Sequence, residues 1–520
     1  MRILLLSLLL CVSFATMSAQ SYFSKVVMGP QLDFLARTIL TGQSDLVTVG
    51  SYKEDSTTFG TNIFIQKMDT LGNLQWTFVY NGGDYDRVYD VVELPDGNLL
   101  LAGLSDSLAG NLKGLLMKVD MNGNILWSKT YLPPSTQTSF SSRFSKVITT
   151  SDSAIVVTGI YSSGSSSSIL MLKTDLDGNV LWENNTIMSG YARPQGLIES
   201  SPGEYSICVQ VSNSVSYSTV ITYDDMGGVL SALDLRDNYL NLDAWGMAQA
   251  GNGEKIVCGE FGVFPFLARL DANDSLLWLK YYGSSIDPFH SVESLGNGNF
   301  VAFNEYFSQG DEGHSIMQFD ALGEPVSYYW VDSDERFRDQ SLWVGADGSL
   351  YLGAELESFD PTGKPESLVI RTSLTGAGHC PSAEVNLSST TFGLSYPGNY
   401  ASGYNSSVVN SLAMTTSIPQ VSTTDLCVPV GREELLEHAF GLTVSPNPTS
   451  GWINLSLAQP FERGRVEVDL FDVQGRVLQQ LTLRPGESQL RIALSEYVSG
   501  VYWLRVSRNG ELLAVEKVLR

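Results

Sequence analysis

A short phrase recurs about every fifty residues along most of this chain of 520 residues. Its fullest copy runs from Lys118 through Asp120 and Gly123 to Trp127. The aligned copies are marked by Asp69, Asp120, Asp175, Asp224, Asp271, Asp320 and, in a truncated last copy, Ser373. A fixed period of this length is typical of repeat architectures, in which one repeat cannot bury its apolar face alone. We therefore expect seven structural repeats of similar build.

Each repeat has the pattern of four short strands. In the second repeat, β-rich runs cover residues 87–94, 99–103, 114–120 and 124–131. A Pro-Asp-Gly-Asn turn at residues 95–98 separates the first two runs, and Asn122-Gly123 separates the last two. Asn-Gly favours a tight hairpin because both residues tolerate positive φ. Four antiparallel strands per repeat, without a helical pattern, predict an all-β fold: a seven-bladed β-propeller over residues 21–380.

The two ends of the repeat region complement each other. The last repeat has a third strand at residues 367–372 but no fourth. Near the N-terminus, residues 22–26 align with the fourth strand that begins at Trp127. We expect this N-terminal segment to complete the seventh blade, because closing the ring removes the open sheet edges.

The N-terminus has the features of a secretory signal over residues 1–20. Met1-Arg2 precedes an apolar run to Leu10, and small residues follow up to Ala19. Export to an oxidising compartment makes a disulfide between Cys380 and Cys427 plausible. Cys208 and Cys258 lie in apolar strands of neighbouring repeats and are expected to be buried free thiols.

The last 140 residues differ in composition from the repeats. Residues 381–440 are rich in Ser and Thr and are expected to form an irregular linker region. Residues 441–520 have the strand spacing of a small β-sandwich. Four features stand out in this segment: Pro446-Asn447-Pro448 followed by Gly451, a hairpin with Phe471 and Gly475, a strand with Gly500 and Tyr502, and a basic last strand with Lys517.

Together these features resemble the type A C-terminal sorting domain of the Bacteroidetes type IX secretion system. The resemblance implies passage through the periplasm and an outer-membrane translocon, and removal of the domain by a sortase. The translocon and the sortase would thus be partners of residues 441–520. The mature protein would be secreted or attached to the outer cell surface.

Composition and motifs exclude several function classes. The net charge of -25 disfavours nucleic acid and anionic membrane surfaces as partners. No later segment predicts a transmembrane span, and no nucleotide-binding, zinc-protease or serine-hydrolase motif is present. The Asp-rich turns resemble the start of a calcium loop, but lack its glycine and distal glutamate, so turn chemistry is the better interpretation. We expect no metal and no cofactor.

One aligned column of the repeats contains arginine four times. Nine residues before the turn of Asp96, and at the equivalent positions, stand Arg87, Arg143, Arg193 and Arg338. This position opens the first strand, which lies innermost in a propeller, so four guanidinium groups would ring one mouth of the channel. Such a ring would bind a carboxylate, a sulfate or an acidic sugar. The alternative is that each arginine pairs locally and joins neighbouring blades.

The leading functional hypothesis is a non-catalytic, exported propeller that binds a glycan, such as an acidic one, or a surface protein. One alternative is a propeller enzyme that degrades polysaccharides or uses a quinone. The strand connections are short and leave little room for the polar cluster that such an enzyme needs. Another alternative is a structural spacer in a surface layer.

Overall fold

A computed structural model describes most of the chain from residue 23 onward. The described ranges are 23–28, 32–53, 60–106, 112–132, 140–163, 166–212, 214–237, 239–251, 253–282, 288–296, 298–308, 311–333, 336–345, 347–357, 365–373, 389–392, 396–397, 401–404, 408–411, 415–417, 422–425, 443–447, 449, 451–456, 466–471, 477–484, 486–498, 500–508 and 511–520. The secondary structure within them is β-strand, without a helix. The chain divides into two compact units, residues 1–427 and 428–520.

The first unit contains seven antiparallel sheets, called blades 1 to 7, and the N-terminal strand β1 (Phe23–Met28). Blade 1 consists of β2 (Leu32–Leu40), β3 (Asp45–Tyr52), β4 (Asn62–Asp69) and β5 (Leu74–Asn81). Blade 2 consists of β6 (Asp86–Glu93), β7 (Leu99–Ser105), β8 (Lys113–Val119) and β9 (Ile125–Leu132). Blade 3 consists of β10 (Phe140–Thr149), β11 (Ile155–Ser163), β12 (Ser166–Thr174) and β13 (Val180–Ile187). Blade 4 consists of β14 (Tyr191–Ser201), β15 (Glu204–Ser212), β16 (Tyr217–Tyr223) and β17 (Val229–Leu235).

The remaining blades follow the same order. Blade 5 consists of β18 (Leu242–Gly251), β19 (Glu254–Phe261), β20 (Phe264–Leu270) and β21 (Leu276–Tyr282). Blade 6 consists of β22 (Phe289–Ser294), β23 (Phe300–Ser308), β24 (Asp311–Phe319) and β25 (Pro325–Ser333). Blade 7 consists of β26 (Arg336–Val344), β27 (Ser349–Glu357), β28 (Pro365–Ser373) and, from the N-terminus, β1.

The seven first strands form a closed ring. Each of β2, β6, β10, β14, β18, β22 and β26 contacts the first strand of both neighbouring blades, and β2 contacts β26. Strand β1 pairs antiparallel with β28, with Phe23 opposite Arg371 and Val27 opposite Ser367. The predicted seven-bladed propeller, whose seventh blade is completed by an N-terminal strand, is confirmed.

The apolar core lies between neighbouring blades. One cluster combines Val47 and Ile65 of blade 1 with Leu101 and Met117 of blade 2, all buried. Burying one such side chain contributes roughly 1.5–3 kcal/mol. The recurring tryptophans at 76, 127, 182 and 278 pack against clusters of this kind.

The recurring phrase also joins neighbouring blades by polar contacts at five junctions. The cation two residues before the turn aspartate forms an ion pair within its own blade, as between Lys118 Nζ and Asp96 Oδ2 at 2.6 Å. The same cation reaches the turn of the following blade. The contacts between blades are Lys67 to Met121, Lys118 to Leu176, Lys173 to Asp225, Arg269 to Ala321 and Arg371 to Thr70.

A tyrosine four residues after the tryptophan makes a second link. Tyr80 and Tyr131 each donate a hydrogen bond of 2.7 Å to a carbonyl in the next blade, that of Gly123 and Gly178 respectively. Tyr282 donates in the same way to Gly323 at 2.9 Å. The phrase therefore encodes blade-to-blade contacts as well as the hairpin turn.

Six short strands after the seventh blade extend the outer edges of six blades; we call residues 389–425 the belt. They are β29 (Ser389–Phe392) on β21, β30 (Tyr396–Pro397) on β17, β31 (Ala401–Tyr404) on β13, β32 (Val408–Ser411) on β9, β33 (Thr415–Ser417) on β5 and β34 (Ser422–Asp425) on β1. The belt thus passes from blade 5 down to blade 1 and on to blade 7. The region 381–440 was predicted as a linker, whereas its described strands belong to the propeller sheets.

The second unit contains two small sheets. Strands β35 (Thr443–Ser445), β36 (Trp452–Ser456) and β39 (Gln489–Ala493) form one of them. Strands β37 (Val466–Phe471), β38 (Val477–Leu483), β40 (Val501–Arg508) and β41 (Glu511–Leu519) form the other. Their inner faces share one core, which includes Ile453 and Ile492 from the first sheet and Val468 and Leu504 from the second. The predicted C-terminal β-sandwich is confirmed.

Candidate functional site

The inner strands share a β-bulge at equivalent positions. The register with the second strand shifts between Leu35 and Arg37 in β2, and between Val88 and Asp90 in β6. The corresponding shifts in the other blades lie at Phe144/Lys146, Pro194/Gly196, Ala244/Gly246, Phe289/Ser291 and Arg338/Ser341. Bulges re-aim side chains and are frequent next to functional sites. Here they surround the channel in the centre of the ring.

Glycines in the second strand accommodate these bulges. A Cβ atom at Gly103 would lie 1.9 Å from the carbonyl oxygen of Arg87, and one at Gly159 would lie 1.8 Å from that of Arg143. Any side chain at either position would collide with the backbone of the inner strand. Glycine at these positions of the second strand therefore allows the inner strand to keep its bulge beside the channel.

A cavity of about 190 Å³ lies in the channel beside the bulges. All seven inner strands contribute to its lining. Its polar and aromatic lining residues include Arg37, Asp90, Lys146, Gln195, Trp245, Gln249, His290, Ser291, Glu293 and Ser341. This convergence of polar groups from every blade makes the cavity the candidate functional site.

An ion pair occupies one side of the cavity. Arg37 Nη1 lies 2.7 Å from Asp90 Oδ1, and the Asp90 side chain is 1% exposed. Asp90 also accepts hydrogen bonds from the backbone N–H of Val91 at 3.0 Å and of Val147 at 2.9 Å. Asp90 thereby connects blades 1, 2 and 3, and both of its oxygens are engaged.

Glu293 is the second carboxyl group in the lining. Burial raises its pKa to about 7, against the attraction of the Arg37 charge, which lowers it. A carboxyl group of this kind, facing a cavity, is frequent at functional sites. Glu293 therefore changes its charge near neutral pH.

Trp245 and His290 form an aromatic wall at the bulges of blades 5 and 6. Their ring centroids lie 4.2 Å apart in an edge-on arrangement. Burial lowers the pKa of His290 to about 4, so its imidazole is neutral at pH 7. The wall is therefore aromatic and uncharged at pH 7.

The predicted arginine column lies at the beginning of the inner strands, outside the cavity lining. Arg87 lies over the ring of Tyr85 at 5.3 Å, and Arg193 lies over that of Tyr191 at 5.1 Å. Arg143 lies 5.6 Å from the ring of Tyr89 in the neighbouring blade. Arg338 is in β26, opposite Glu355, and its side chain lies outside the described residues. A ring of four arginines stays a prediction, and Arg143 makes the kind of blade-to-blade contact that the alternative expects.

Other predicted sites can be placed in part. Cys380 and Cys427 lie outside the described residues. Cys208 and Cys258 are buried free thiols, as predicted, and burial raises the pKa of Cys208 to about 12. Within the described residues, no cluster of three or more acidic, histidine or cysteine side chains is arranged to hold a metal ion.

The aspartate turns form the hydrogen bonds predicted for them. Asp120 Oδ1 accepts from the backbone N–H of Asn122 at 2.9 Å and of Asn124 at 2.8 Å. Asp175 repeats this arrangement with Asp177 and Asn179. These bonds support turn chemistry for the aspartates.

Several residues of the sorting motifs have defined positions in the second unit. The carbonyl of Gly451 accepts from the N–H of Leu494 at 2.7 Å, and Gly500 exchanges two hydrogen bonds with Arg520. Tyr502 Oη donates to the carbonyl of Val498 at 2.5 Å. Pro446 and Asn447 follow β35 directly, and Lys517 pairs with Trp503 in the last hairpin. Pro448 and Gly475 lie outside the described residues.

Sequence reasoning missed the cavity, although a signal for it was present. The repeat alignment that gives the arginine column has a second polar column three residues further along. It contains Arg37, Asp90, Lys146, Gly196, Gly246, Ser291 and Ser341. These are the residues directly after the bulges, and five of the seven are polar or charged.

The comparisons with known proteins support the resemblance of the C-terminal segment to a sorting domain. Residues 443–519 match the family described as "Secretion system C-terminal sorting domain". No curated protein matches the chain. In the described part of the chain, no helix has the length and apolarity needed to cross a membrane.

Solved structures share only a general likeness with the chain. Drosophila Semaphorin 2a has 8% identity and a TM-score of 0.40, with 95% of this chain and 96% of that chain covered. The NanB sialidase of Streptococcus pneumoniae has 9% identity and a TM-score of 0.38, with 68% and 69% covered. A puromycin hydrolase has 10% identity and a TM-score of 0.34, with 63% of this chain covered but only 59% of its own length. No activity is transferred from likenesses this distant.

The sorting motifs, the fold of the second unit and the family match all concern the same segment. The chain therefore carries a secretion-system C-terminal sorting domain at residues 443–519 and is a cargo of the type IX secretion system, exported to the outer cell surface or beyond it.

Proposed function

We propose that the exported propeller is a non-catalytic binding module for a glycan or a surface protein. The observation that carries the proposal is the channel cavity of about 190 Å³, to which all seven blades contribute. Contacts between the blades hold the lining in place, and a rigid site loses little conformational freedom when it binds. The sorting domain supports export of this site to where extracellular ligands occur.

The chemistry of the cavity supports binding over turnover. Hydrolysis of a glycosidic bond commonly uses two carboxyl groups with separate roles. Both oxygens of Asp90 are engaged by Arg37 and by backbone N–H groups. Glu293 is thus the single carboxyl group in the described lining that is available to a substrate. An enzyme of this class would need a second one.

The test uses the full-length exported protein on a glycan array and on a panel of extracellular proteins. We expect retention of a defined ligand that is weakened at least tenfold by Trp245→Ala. Leu126→Ala is the matched control, because Leu126 is 50% exposed on an outer strand. Its binding should equal that of the wild type.

The same preparation should release no product from a panel of polysaccharides over hours. Turnover that Glu293→Gln abolishes would overturn the non-catalytic proposal and favour the enzyme alternative. Absence of every ligand, together with formation of a regular surface lattice, would favour the structural spacer.

A further inference from the structure

The face of the propeller at which the inner strands begin carries an exposed apolar patch. Tyr239 and Leu240 lie in the connection from blade 4 to blade 5, and Val263 lies in the turn between β19 and β20. In blades of four antiparallel strands, such connections and such turns lie at the same face. Tyr239 is 88% exposed, Val263 is 73% exposed, and Leu240 is exposed as well. We call these three residues the blade 5 patch.

Hydrogen bonds hold the backbone of the patch in place. Asp237 Oδ1 accepts from the backbone N–H groups of Tyr239 and Leu240, both at 2.8 Å. The carbonyl of Asn241 accepts from the N–H of Gly262 at 2.8 Å, which ties the connection to the β19–β20 turn. An added Cβ at Gly262 would lie 3.7 Å from the side chain of Leu240, so the connection and the turn are in contact. A partner that covers this fixed backbone therefore removes little conformational freedom from it.

The area of the patch corresponds to the apolar part of one protein–protein interface. Tyr239 exposes roughly 200 Å², and the three side chains together expose roughly 400 Å². A standard interface buries about 800 Å² on each partner, and about 57% of this area is apolar. The apolar share is thus about 450 Å² per partner, which is close to the area that the blade 5 patch exposes.

A second copy of the chain is the occupant that fits this patch best. The net charge of -25 disfavours an anionic membrane surface. Leu240 and Val263 have no hydrogen-bonding groups in their side chains, which disfavours a sugar. In a two-fold contact the same surface of both subunits meets. The ring of Tyr239 from one copy would then cover the aliphatic side chains of Leu240 and Val263 from the other, so the patch is complementary to itself.

We infer that the blade 5 patch joins two copies of this chain in a two-fold symmetric dimer. The inference goes beyond the proposed function and does not depend on a ligand of the channel. The two copies repel each other elsewhere, because each carries a large negative net charge. An apolar contact that works against this repulsion becomes stronger when salt screens the charges.

The test is analytical ultracentrifugation of the full-length protein over a range of micromolar concentrations. We expect a dimer that tightens when the salt is raised from about 0.15 M to about 1 M, which shortens the Debye length from about 8 Å to about 3 Å. Tyr239→Ser and Val263→Ser should each weaken dimerisation at least tenfold. Met226→Ser is the matched control, because Met226 is 72% exposed in the turn between β16 and β17, on the opposite face. Its dimerisation should equal that of the wild type.

Four outcomes would overturn the inference. A protein that stays monomeric at every concentration would exclude the dimer. A dimer that persists in both patch variants, or that Met226→Ser weakens equally, would place the contact elsewhere. Dissociation at high salt would show a contact between opposite charges. Protection of Tyr239 only in the presence of a different exported protein would assign the patch to that protein. Ligand capture by the channel is measured separately on the glycan array, so each of these outcomes leaves the proposed function standing.

Discussion

Arg371 in the last blade donates a hydrogen bond of 2.9 Å from Nη1 to the backbone carbonyl of Thr70 in the first blade. The same guanidinium lies 2.8 Å from Asp347 in its own blade. Lys67, Lys118, Lys173 and Arg269 make the equivalent contact from blades 1, 2, 3 and 5, and Arg371 makes it between blades 7 and 1. The junction between blades 7 and 1 is thus held by a side chain, and strand β1 completes blade 7.

Replacing Arg371 should weaken the junction between blades 7 and 1 and lower the free energy of unfolding. Arg371→Ala removes the bond to Thr70 and leaves Asp347, which is 39% exposed, without this partner. We expect the free energy of unfolding to fall by about 1–3 kcal/mol, measured by chemical denaturation. Arg193→Ala is the control, because Arg193 is an exposed arginine of the same propeller. Equal stability of the two variants would contradict a role for Arg371 in closure.

Substitutions at two turn glycines should distinguish the cost of the left-handed backbone from the cost of overpacking between blades. Gly323 has φ of 75°, and an added Cβ would lie 2.7 Å from Trp278 of the preceding blade. Gly97 has φ of 77° and no atom within 4 Å of such a Cβ. Both Ala variants should lose about 1–2 kcal/mol to the left-handed conformation. Gly323→Ala should lose about 1–3 kcal/mol more from overpacking, as seen in denaturation midpoints.

Removing the belt should expose sheet edges. A chain that ends after residue 427 retains strands β29 to β34, whereas one that ends after residue 380 lacks them. Each net hydrogen bond contributes about 1 kcal/mol, so the shorter chain should be less stable by several kcal/mol. Its uncovered edges should also favour association between molecules. Thermal unfolding and light scattering would measure both effects, and identical behaviour of the two chains would show that the belt pairing contributes nothing.

Glu293 should make stability depend on pH. Its pKa is 4.5 in its ordinary state and about 7 in the fold, so the folded protein holds this proton more tightly than the unfolded chain. The contribution is full below pH 4.5 and is lost as the pH rises through about 7. Between pH 5 and pH 8 the free energy of unfolding should fall by at most about 3 kcal/mol from this group, and by less where channel water reaches it. Glu293→Gln should remove this slope, and a slope that is unchanged in the variant would show that another group causes it.

The arginine column predicts a separate response to acidic ligands. Arg193→Ala combined with Arg338→Ala should weaken the binding of acidic glycans on an array by about tenfold, since hydrogen bonds to charged groups contribute about 1.5–3 kcal/mol. Trp245→Ala, which alters the cavity, should leave this binding in place. Binding of acidic glycans that the double variant retains in full would favour local pairing of the arginines.

Local chemistry made much of the fold predictable. The turn Asp120 to Gly123 forms its hairpin through hydrogen bonds among neighbouring residues, so the pattern can be recognised wherever it occurs. The period of the turns then gives the number of blades. The alignment of residues 22–26 with a fourth strand predicted the closure, because the seventh blade would otherwise keep an unpaired sheet edge.

The belt was not predicted because edge pairing uses backbone groups. Strand β32 pairs Val409 with Tyr131 and Asn410 with Thr130, and such a ladder imposes few demands on side chains. A segment rich in Ser and Thr therefore gives little indication of which edge it joins. The cavity was missed for a different reason, since its side chains come from seven strands and each of them is unremarkable in its own repeat.

The amino-acid sequence by itself determined the repeat unit, the number of blades, the way in which the ring closes and the export tag. All of these follow from spacings and turns within short stretches of chain, where the interacting atoms are close in sequence. Only the tertiary structure decided the composition of the channel and the course of the belt. Arg37, Lys146 and Glu293 line one cavity because the ring brings strands that are far apart in the sequence to one axis. No pattern within a single repeat reveals this proximity.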